Sequence, residues 1–552
     1  MKSGTLLKRP LTDISSLYSS HIFSHLLSIT SVLSIVCLFV ISIPVSAQQS
    51  YTITNGPFEP TWESLQNNYQ LPEWYRDVKF GIWAHWGPQC EPAFGDWYAN
   101  RMYQEGSAQY KYHVANYGHP SKFGFKDIIH AWKADKWNPE RQMTLYKRAG
   151  AKFFVSMANH HDNMDMYDSK YQPWNSVLVG PKKDIVGTWA VLARKSGLRF
   201  GVSVHAARAW SWMEDAQGSD KEGPLKGVPY DGKLTRADGK GTWWEGMDPQ
   251  ALYEQAHEKG AKPDSTYKAK WFNRTKDLID KYKPDLLYFD DAGLPLGDAG
   301  LGIAAHFYNA NIQWHKGSQQ GVITSKELSH LQQKAVVNDL ERNMTTDLLS
   351  TVWQKDLCIG TWHYSDDTYL NDKYRKPKTI INLLVDVVAK NGTFLLNIPM
   401  RGDGSIDDKE EYFLQELTKW MDVNNECIYG TRPWTIYGEG PSVKNDATTK
   451  DSTVAPRGIG PVYTAKDIRF TKKGNILYAI ALGWPEDKQI TIKALARNSE
   501  YFKTGIESIE LLGSQQKIKY NRDENGLTVI IPDKKVNDYG LVLKIRSKAA
   551  NN

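Results

Sequence analysis

Residues 151–161 read AKFFVSMANHH, an apolar, β-forming run that closes in two histidines. Four further runs share its character: KFGIWAHWG (79–87), LRFGVSVHA (198–206), DLLYFDD (285–291) and GTFLLNIPM (392–400). Short, nearly continuous apolar strands suit a parallel sheet covered on both faces. The stretches between them carry helix signatures. Asp184 is a suitable N-cap for a helix with Ile185, Trp189 and Leu192 on one face, and Trp271, Leu278, Ile279 and Tyr282 form a second stripe before Pro284. A third helix, 379–390, stops at Asn391 and Gly392. Repeated β-then-α units over roughly three hundred residues predict an α/β, TIM-like (β/α) barrel with its chemistry at the C-terminal ends of the strands. An open doubly wound sheet is the alternative, but no GxGxxG turn or P-loop accompanies it.

After residue 435 the pattern changes. DIRFTKKGNILYAIAL (467–482), KQITIKAL (488–495), SIELLGSQQKIKYN (508–521), LTVIIPD (527–533) and YGLVLKI (539–545) are short alternating strands separated by turn residues. They predict a C-terminal all-β sandwich, with a Pro-, Gly-, Ser- and Thr-rich loop at 441–460 near the boundary. Residues 1–47 read as a secretory signal: a basic start, the apolar run 26–45, then Val45-Ser46-Ala47 before Gln48. An uncleaved membrane anchor is the competing reading. The expected organisation is therefore a signal peptide (1–47), a barrel domain (48–435) and a sandwich (436–552), in a secreted or periplasmic protein without stable membrane insertion once the leader is removed.

The formal charge is +6, and removal of Lys2, Lys8, Arg9 and Asp13 with the leader lowers it by two to +4. So small an excess, with no basic stripe, gives no case for nucleic acid or an acidic membrane surface. Cys90, Cys358 and Cys427 remain after the leader, an odd and widely spaced set that supports neither a disulfide framework nor a thiol metal site. The 20 Trp and 29 Tyr suit stacking on sugar rings, although most tryptophans in any protein are core.

Strand ends carry the candidate chemistry. DLLYFDD finishes in Asp290 and Asp291, so at least one carboxylate faces the barrel mouth; glycosidases use one ionised carboxylate to attack the anomeric carbon and a second carboxyl to protonate the leaving oxygen. A turn-capping aspartate is the structural alternative. His85, His160, His161 and His205, with Asp162, close three strands and form a polar group suited to sugar hydroxyls. A metal is the rival reading, yet His160 and His161 are adjacent and would point to opposite faces of a regular strand. No metal and no cofactor are expected.

These residues resemble the alpha-L-fucosidases of glycoside hydrolase family 29, from about Trp74 to Trp434. The resemblance lies in KFGIWAHWG, in DWYANRMY (96–103), in AKFFVSMANHHDNMDMYDSKYQPWNS (151–176), and in LLVDVVAKNGTFLLNIPMRGDGSI (383–406) with ECIYGTRPW (426–434). It implies Asp290 as nucleophile, and His85, Trp97, His160 and His161 around the sugar, with Asp96 where the family usually has Glu. His205 closes the third strand where the family commonly has Tyr-Tyr-Ser, and Asn163 and Met164 follow the His-His-Asp segment in place of Gly and an aromatic. Those departures suggest a polar pocket for a carbon 6 hydroxyl. For the acid/base, VVNDLER (336–342) puts Glu341 beyond a short strand, as in some members; Glu327, Asp339 and Asp347 are the alternatives. The implied activity is retaining hydrolysis of terminal alpha-L-fucosides on oligo- or polysaccharides. Rivals are alpha-L-galactoside hydrolysis with the same machinery, a catalytically inactive sugar-binding protein, and a metal-dependent hydrolase. Oligomeric state is not legible.

Overall fold

The computed structural model describes residues 51–341, 343–445 and 460–548. The expected leader and most of the expected 441–460 loop lie outside the described residues. Among the described residues no helix is long and apolar enough to cross a membrane.

Eight parallel strands close into a barrel in chain order: β1 (Phe80–Ala84), β2 (Phe153–Asn159), β3 (Arg199–Val204), β4 (Leu286–Ala292), β5 (Val322–Lys326), β6 (Val337–Asp339), β7 (Trp353–Cys358) and β8 (Gly392–Asn397). β8 pairs back onto β1 through Phe80↔Phe394 and Trp83↔Asn397. The five clearest strands expected from sequence are β1 to β4 and β8, and the short strand expected before Glu341 is β6. The expected helices span Ile185–Lys195, Ser265–Tyr282 and Pro377–Ala389, and the Asp184 side chain caps the first by accepting the Gly187 N–H.

Strand alternation sorts the core into two layers. Trp83, Phe153, Val155, Leu286, Tyr288, Val322, Val337 and Leu395 fill the barrel interior, while Ile82, Phe154, Leu287 and Phe289 pack outward under the helices. Gly81 is required where it stands, because a Cβ there would lie 2.5 Å from the Phe153 ring. The β/α alternation lapses late in the barrel. A single 3₁₀ turn, Gln332–Lys334, connects β5 to β6, and the β6–β7 connection has no helix among the described residues. Residues 205–264, after β3, form the longest strand-to-helix excursion, built from short helical turns over the C-terminal face.

The C-terminal region consists of a five-stranded and a three-stranded antiparallel sheet sharing a core of Trp434, Phe470, Leu495, Leu527 and Leu543. Its first strand, Arg432–Glu439, straddles the boundary expected at 435/436. The sandwich is anchored on the barrel helix Pro377–Ala389 by a fully buried ion pair in which the Arg469 Nε donates to the Asp386 Oδ1 at 2.5 Å. Cys90, Cys358 and Cys427 are free and buried.

Candidate active site

Alternation along β4 separates the two aspartates. Asp290 continues the inward set of Leu286 and Tyr288, whereas Asp291 turns toward Arg208, whose Nε donates to its Oδ1 at 3.1 Å. Burial lifts the Asp291 carboxyl to about 6 despite that guanidinium. Asp290 has three partners: Lys326, the last residue of β5, donates to its Oδ1, His205 Nδ1 lies 3.1 Å from its Oδ2, and His161 Nε2 lies 3.3 Å from the same oxygen. Burial alone would raise this carboxyl. The Lys326 ammonium first, then the two imidazoles, outweigh burial and hold it well below the usual carboxylate range.

Lys326 reaches a second carboxylate. Its Nζ donates to Glu341 Oε2 at 2.6 Å, and the Glu341 carbonyl is pinned by Lys355. Burial opposes the charge of Lys326, but Asp290, Asp356, Glu341 and Asp339 together raise its pKa above that of an ordinary lysine. The other acid/base candidates are placed differently. Glu327 and Asp347 are exposed, and Asp339 is buried within the barrel wall with its Oδ1 accepting from Gln354 at 3.0 Å.

His85, His160 and His205 form one cluster, with the His85 ring centre 5.1 Å from that of His160 and 5.2 Å from that of His205. His363, beyond β7, joins it at 4.7 Å from His85. Burial depresses His85 and His160 well below the usual imidazole range and His205 to about 4, so these rings are neutral near pH 7. Asp96 is tied to the cluster by accepting the His363 backbone N–H at 2.8 Å. Trp97 stands outermost: its backbone is left-handed at φ 65°, it is 43% exposed, and the Arg101 guanidinium sits 5.1 Å from its ring.

Ring nitrogens of His85, His160 and His205 lie within 4.8 Å of one another, as do ligand atoms of His161, His205 and Asp290, spacings that a metal ion could use. The hydrogen bonds disfavour that use. Gln89 Oε1 accepts the Ala99 N–H, which orients the amide so that its Nε2 donates to His160 Nδ1 at 2.9 Å. A neutral His160 then carries its proton on Nε2 and offers a donor instead of a ligand lone pair. Both nitrogens of His205 are occupied, by Asp290 and by the Ser203 hydroxyl at 3.0 Å. The cluster is built to exchange hydrogen bonds with neutral hydroxyls beside an ionised carboxylate.

Sequence reasoning passed over Lys326 and His363. Both signals were present: GVITSKE (321–327) is a short apolar run ending in charge, and His363 lies in the same WQKDLCIGTWHY segment (353–364) that follows Glu341. Trp212, whose ring centre is 5.8 Å from that of His160 and 5.7 Å from that of His161, comes from the excursion after β3 and had no strand-end signal.

The family model described as Alpha-L-fucosidase matches residues 45–426, and that described as Alpha-L-fucosidase C-terminal domain matches residues 463–546. The chain belongs to the alpha-L-fucosidase family. It is similar to the human tissue alpha-L-fucosidase, at 25% identity over 86% of this chain and 88% of the relative, and to the human plasma alpha-L-fucosidase, at 27% over 86% and 88%. Among solved structures it is similar to the Thermotoga maritima alpha-fucosidase in complex with fucose, with a TM-score of 0.64 and 26% identity over 88% of this chain and all of that one. The chain is thus a glycoside hydrolase of the alpha-L-fucosidase type, with the family's barrel and C-terminal β domain.

Within this alpha-L-fucosidase fold, the departures expected to form a carbon 6 hydroxyl pocket are otherwise engaged. Asn163 is fully buried; its Oδ1 accepts from Arg274 Nη1 at 2.6 Å, and its Nδ2 donates to Glu254 Oε1 at 2.5 Å and to the Leu252 carbonyl at 2.9 Å. Its left-handed backbone, at φ 69°, turns the chain after the histidine pair and carries the side chain into that network. Met164 is fully buried in the outer core. His205 spends both nitrogens on Asp290 and Ser203.

Proposed function

We propose that the chain is a retaining exo-glycosidase that removes terminal alpha-L-fucosides from oligosaccharides or polysaccharides by double displacement, with Asp290 as nucleophile and Glu341 as acid/base. One observation carries the reading: a single ammonium, Lys326 Nζ, is hydrogen-bonded to both carboxylates. Two oxygens bonded to one nitrogen lie within roughly 6 Å of each other. That spacing fits the ~5–5.5 Å of retaining enzymes and leaves too little room for the water an inverting pair must hold. Asp290 attacks the anomeric carbon as its bond to the aglycone oxygen breaks and Glu341 gives that oxygen a proton. Water, deprotonated by Glu341, then attacks the same carbon and releases Asp290 as a carboxylate. His85, Asp96, Trp97, His160, His161 and His205 hold the sugar or orient Asp290.

Fucose is favoured over L-galactose because Asn163, Met164 and His205 are otherwise engaged, which leaves them without a free polar atom for a carbon 6 hydroxyl. The names of the human relatives and the fucose complex of the Thermotoga maritima enzyme point the same way. The leader would direct the enzyme out of the cytoplasm. Matched aryl alpha-L-fucoside and alpha-L-galactoside substrates test specificity. Proton NMR of the first-formed sugar tests the mechanism: early appearance of the alpha anomer is expected, and the beta anomer first would discard double displacement.

A further inference from the structure

Register alone sets Lys326 between the two carboxyl groups. It pairs with Ala292 of β4 on one side and with Asp339 of β6 on the other. Asp290 stands two residues before Ala292, and Glu341 two residues after Asp339, so the side chain that rises from β5 meets one on each flank. Its ammonium touches both, lies 6.0 Å from the Tyr288 ring centre, and has 16% of the side chain exposed. The charged groups around it come from every adjoining strand: Asp290 on β4, Asp339 on β6, Asp356 on β7 and Glu341 beyond β6. His161 and His205 face Asp290 from just beyond the ends of β2 and β3, and Arg208 approaches both Asp290 and Glu341 from beyond β3.

Double displacement requires one carboxylate and one carboxylic acid, interchanged midway. Before attack Asp290 is the anion and Glu341 holds the proton. In the glycosyl-enzyme Asp290 is a neutral ester, and Glu341, its proton now on the departed aglycone oxygen, is the anion. One ammonium between them has one anionic partner at each stage, and the buried site keeps the same net charge throughout. An alternative with no shared cation would alternately strand a buried carboxylate, which is costly in a site of this kind.

We infer that Lys326 is a positioning residue that holds Asp290 and Glu341 together and passes its ion pair from one to the other and back in each turnover. This rests on the double-displacement reading. Lys326 pairs with the Asp290 carboxylate before attack and with the Glu341 carboxylate in the glycosyl-enzyme. Loss of the ammonium therefore removes the cation that partners the anion in both steps, and it makes Asp290 harder to ionise.

The test uses the full-length enzyme, an aryl alpha-L-fucoside with a good leaving group, and the variants Lys326→Met, Lys326→Gln and Lys326→Arg, each checked for a cooperative melt. Loss of one aimed charge is expected to lower kcat on the order of a hundredfold in Lys326→Met. The acid limb of the kcat/KM profile is expected to move upward by about one pH unit or more. Lys326→Gln, which keeps hydrogen bonds without charge, is the second probe should the methionine variant not fold, and the same upward shift is expected. Lys326→Arg is expected to restore the limb toward its wild-type position. A folded Met or Gln variant with a wild-type acid limb overturns the inference. A 2-deoxy-2-fluoro glycosyl inhibitor, followed by peptide mass spectrometry of the wild type, keeps the two failures apart. A label on a residue other than Asp290 sinks the nucleophile assignment itself, whereas a label on Asp290 with unaltered Lys326 variants sinks only the role of Lys326.

Discussion

Nδ1 of His205 lies 3.1 Å from Oδ2 of Asp290, while Nε2 of the same ring is held 3.0 Å from the hydroxyl of Ser203. The serine fixes the ring so that a neutral imidazole presents its Nδ1–H to the carboxylate. Without that donor the carboxylate is free to turn away from the anomeric carbon, and a misplaced reacting group costs on the order of a hundredfold. His205→Ala is accordingly expected to lower kcat/KM about 10- to 100-fold. The sign of the pH effect follows from Asp290: its carboxyl is held below its ordinary value, activity needs the anion, and loss of a donor lets that value rise. The acid limb of kcat/KM thus moves to higher pH, and a profile measured from about pH 3 to 8 that keeps its wild-type limb would contradict this role.

Asp290 and Glu341 should fail differently. Asp290→Ala removes the group that forms the first bond and is expected to be inert on every substrate. Glu341→Ala loses only proton delivery, worth about 10²–10⁴-fold, so it is expected to retain far more activity on a dinitrophenyl glycoside than on a natural one. Added azide, which needs no general base, is expected to yield a glycosyl azide of retained configuration. Natural-substrate activity at wild-type level in Glu341→Ala would move the acid/base to another residue.

Asn163 is expected to matter for stability and not for sugar choice. Asn163→Ala removes a partner from Arg274, which is 2% exposed, and from Glu254, also buried. Unsatisfied buried polar groups cost roughly 1–3 kcal/mol. Denaturant titration is expected to show that loss while the fucoside-to-galactoside ratio stays unchanged. A changed ratio at wild-type stability would return Asn163 to the sugar pocket.

Lys79, the residue before β1, is 1% exposed, and burial lowers its pKa from 10.5 to about 7. Below about pH 7 the folded and unfolded chains both hold the proton and the full cost of burying the charge applies, on the order of several kcal/mol. Between 7 and 10.5 the unfolded chain binds the proton and the folded one does not, so stability rises with pH. Lys79→Met is therefore expected to be more stable than wild type near pH 6, with the gap narrowing as pH rises toward 10. A gap of constant size in melts across that range would show that the lysine is not buried as a charge.

Much of the fold was legible because it depends on local pattern. Five apolar runs with helical stripes between them implied β1 to β4, β8 and three of the covering helices, since a strand buried on both faces must be apolar throughout. β5 and β7 were harder to read, and β6 showed only as the short run before Glu341: β6 spans three residues, Lys326 ends β5 in charge, and Gln354, Lys355 and Asp356 make β7 polar for a strand. Those strands carry the buried charges of the site, and that burden hides them from a hydrophobic pattern.

The sequence by itself determined the barrel, the sandwich after it, the family, and the set of strand-end histidines and aspartates from which a site could be made, because side-chain period and motif order are properties of the chain alone. Tertiary structure decided which members of that set meet. The closure of β8 onto β1 gathers His85, His160, His205 and His363 from four strand ends, and the register of β5 against β4 and β6 puts one lysine between Asp290 and Glu341. Left-handed backbone at Asn163 draws its side chain into the Arg274 network and away from the sugar role that sequence comparison suggested. Hydrogen bonds of this network join residues up to 111 positions apart in sequence, as between Asn163 and Arg274, and no local pattern encodes which of several polar groups will be the partner.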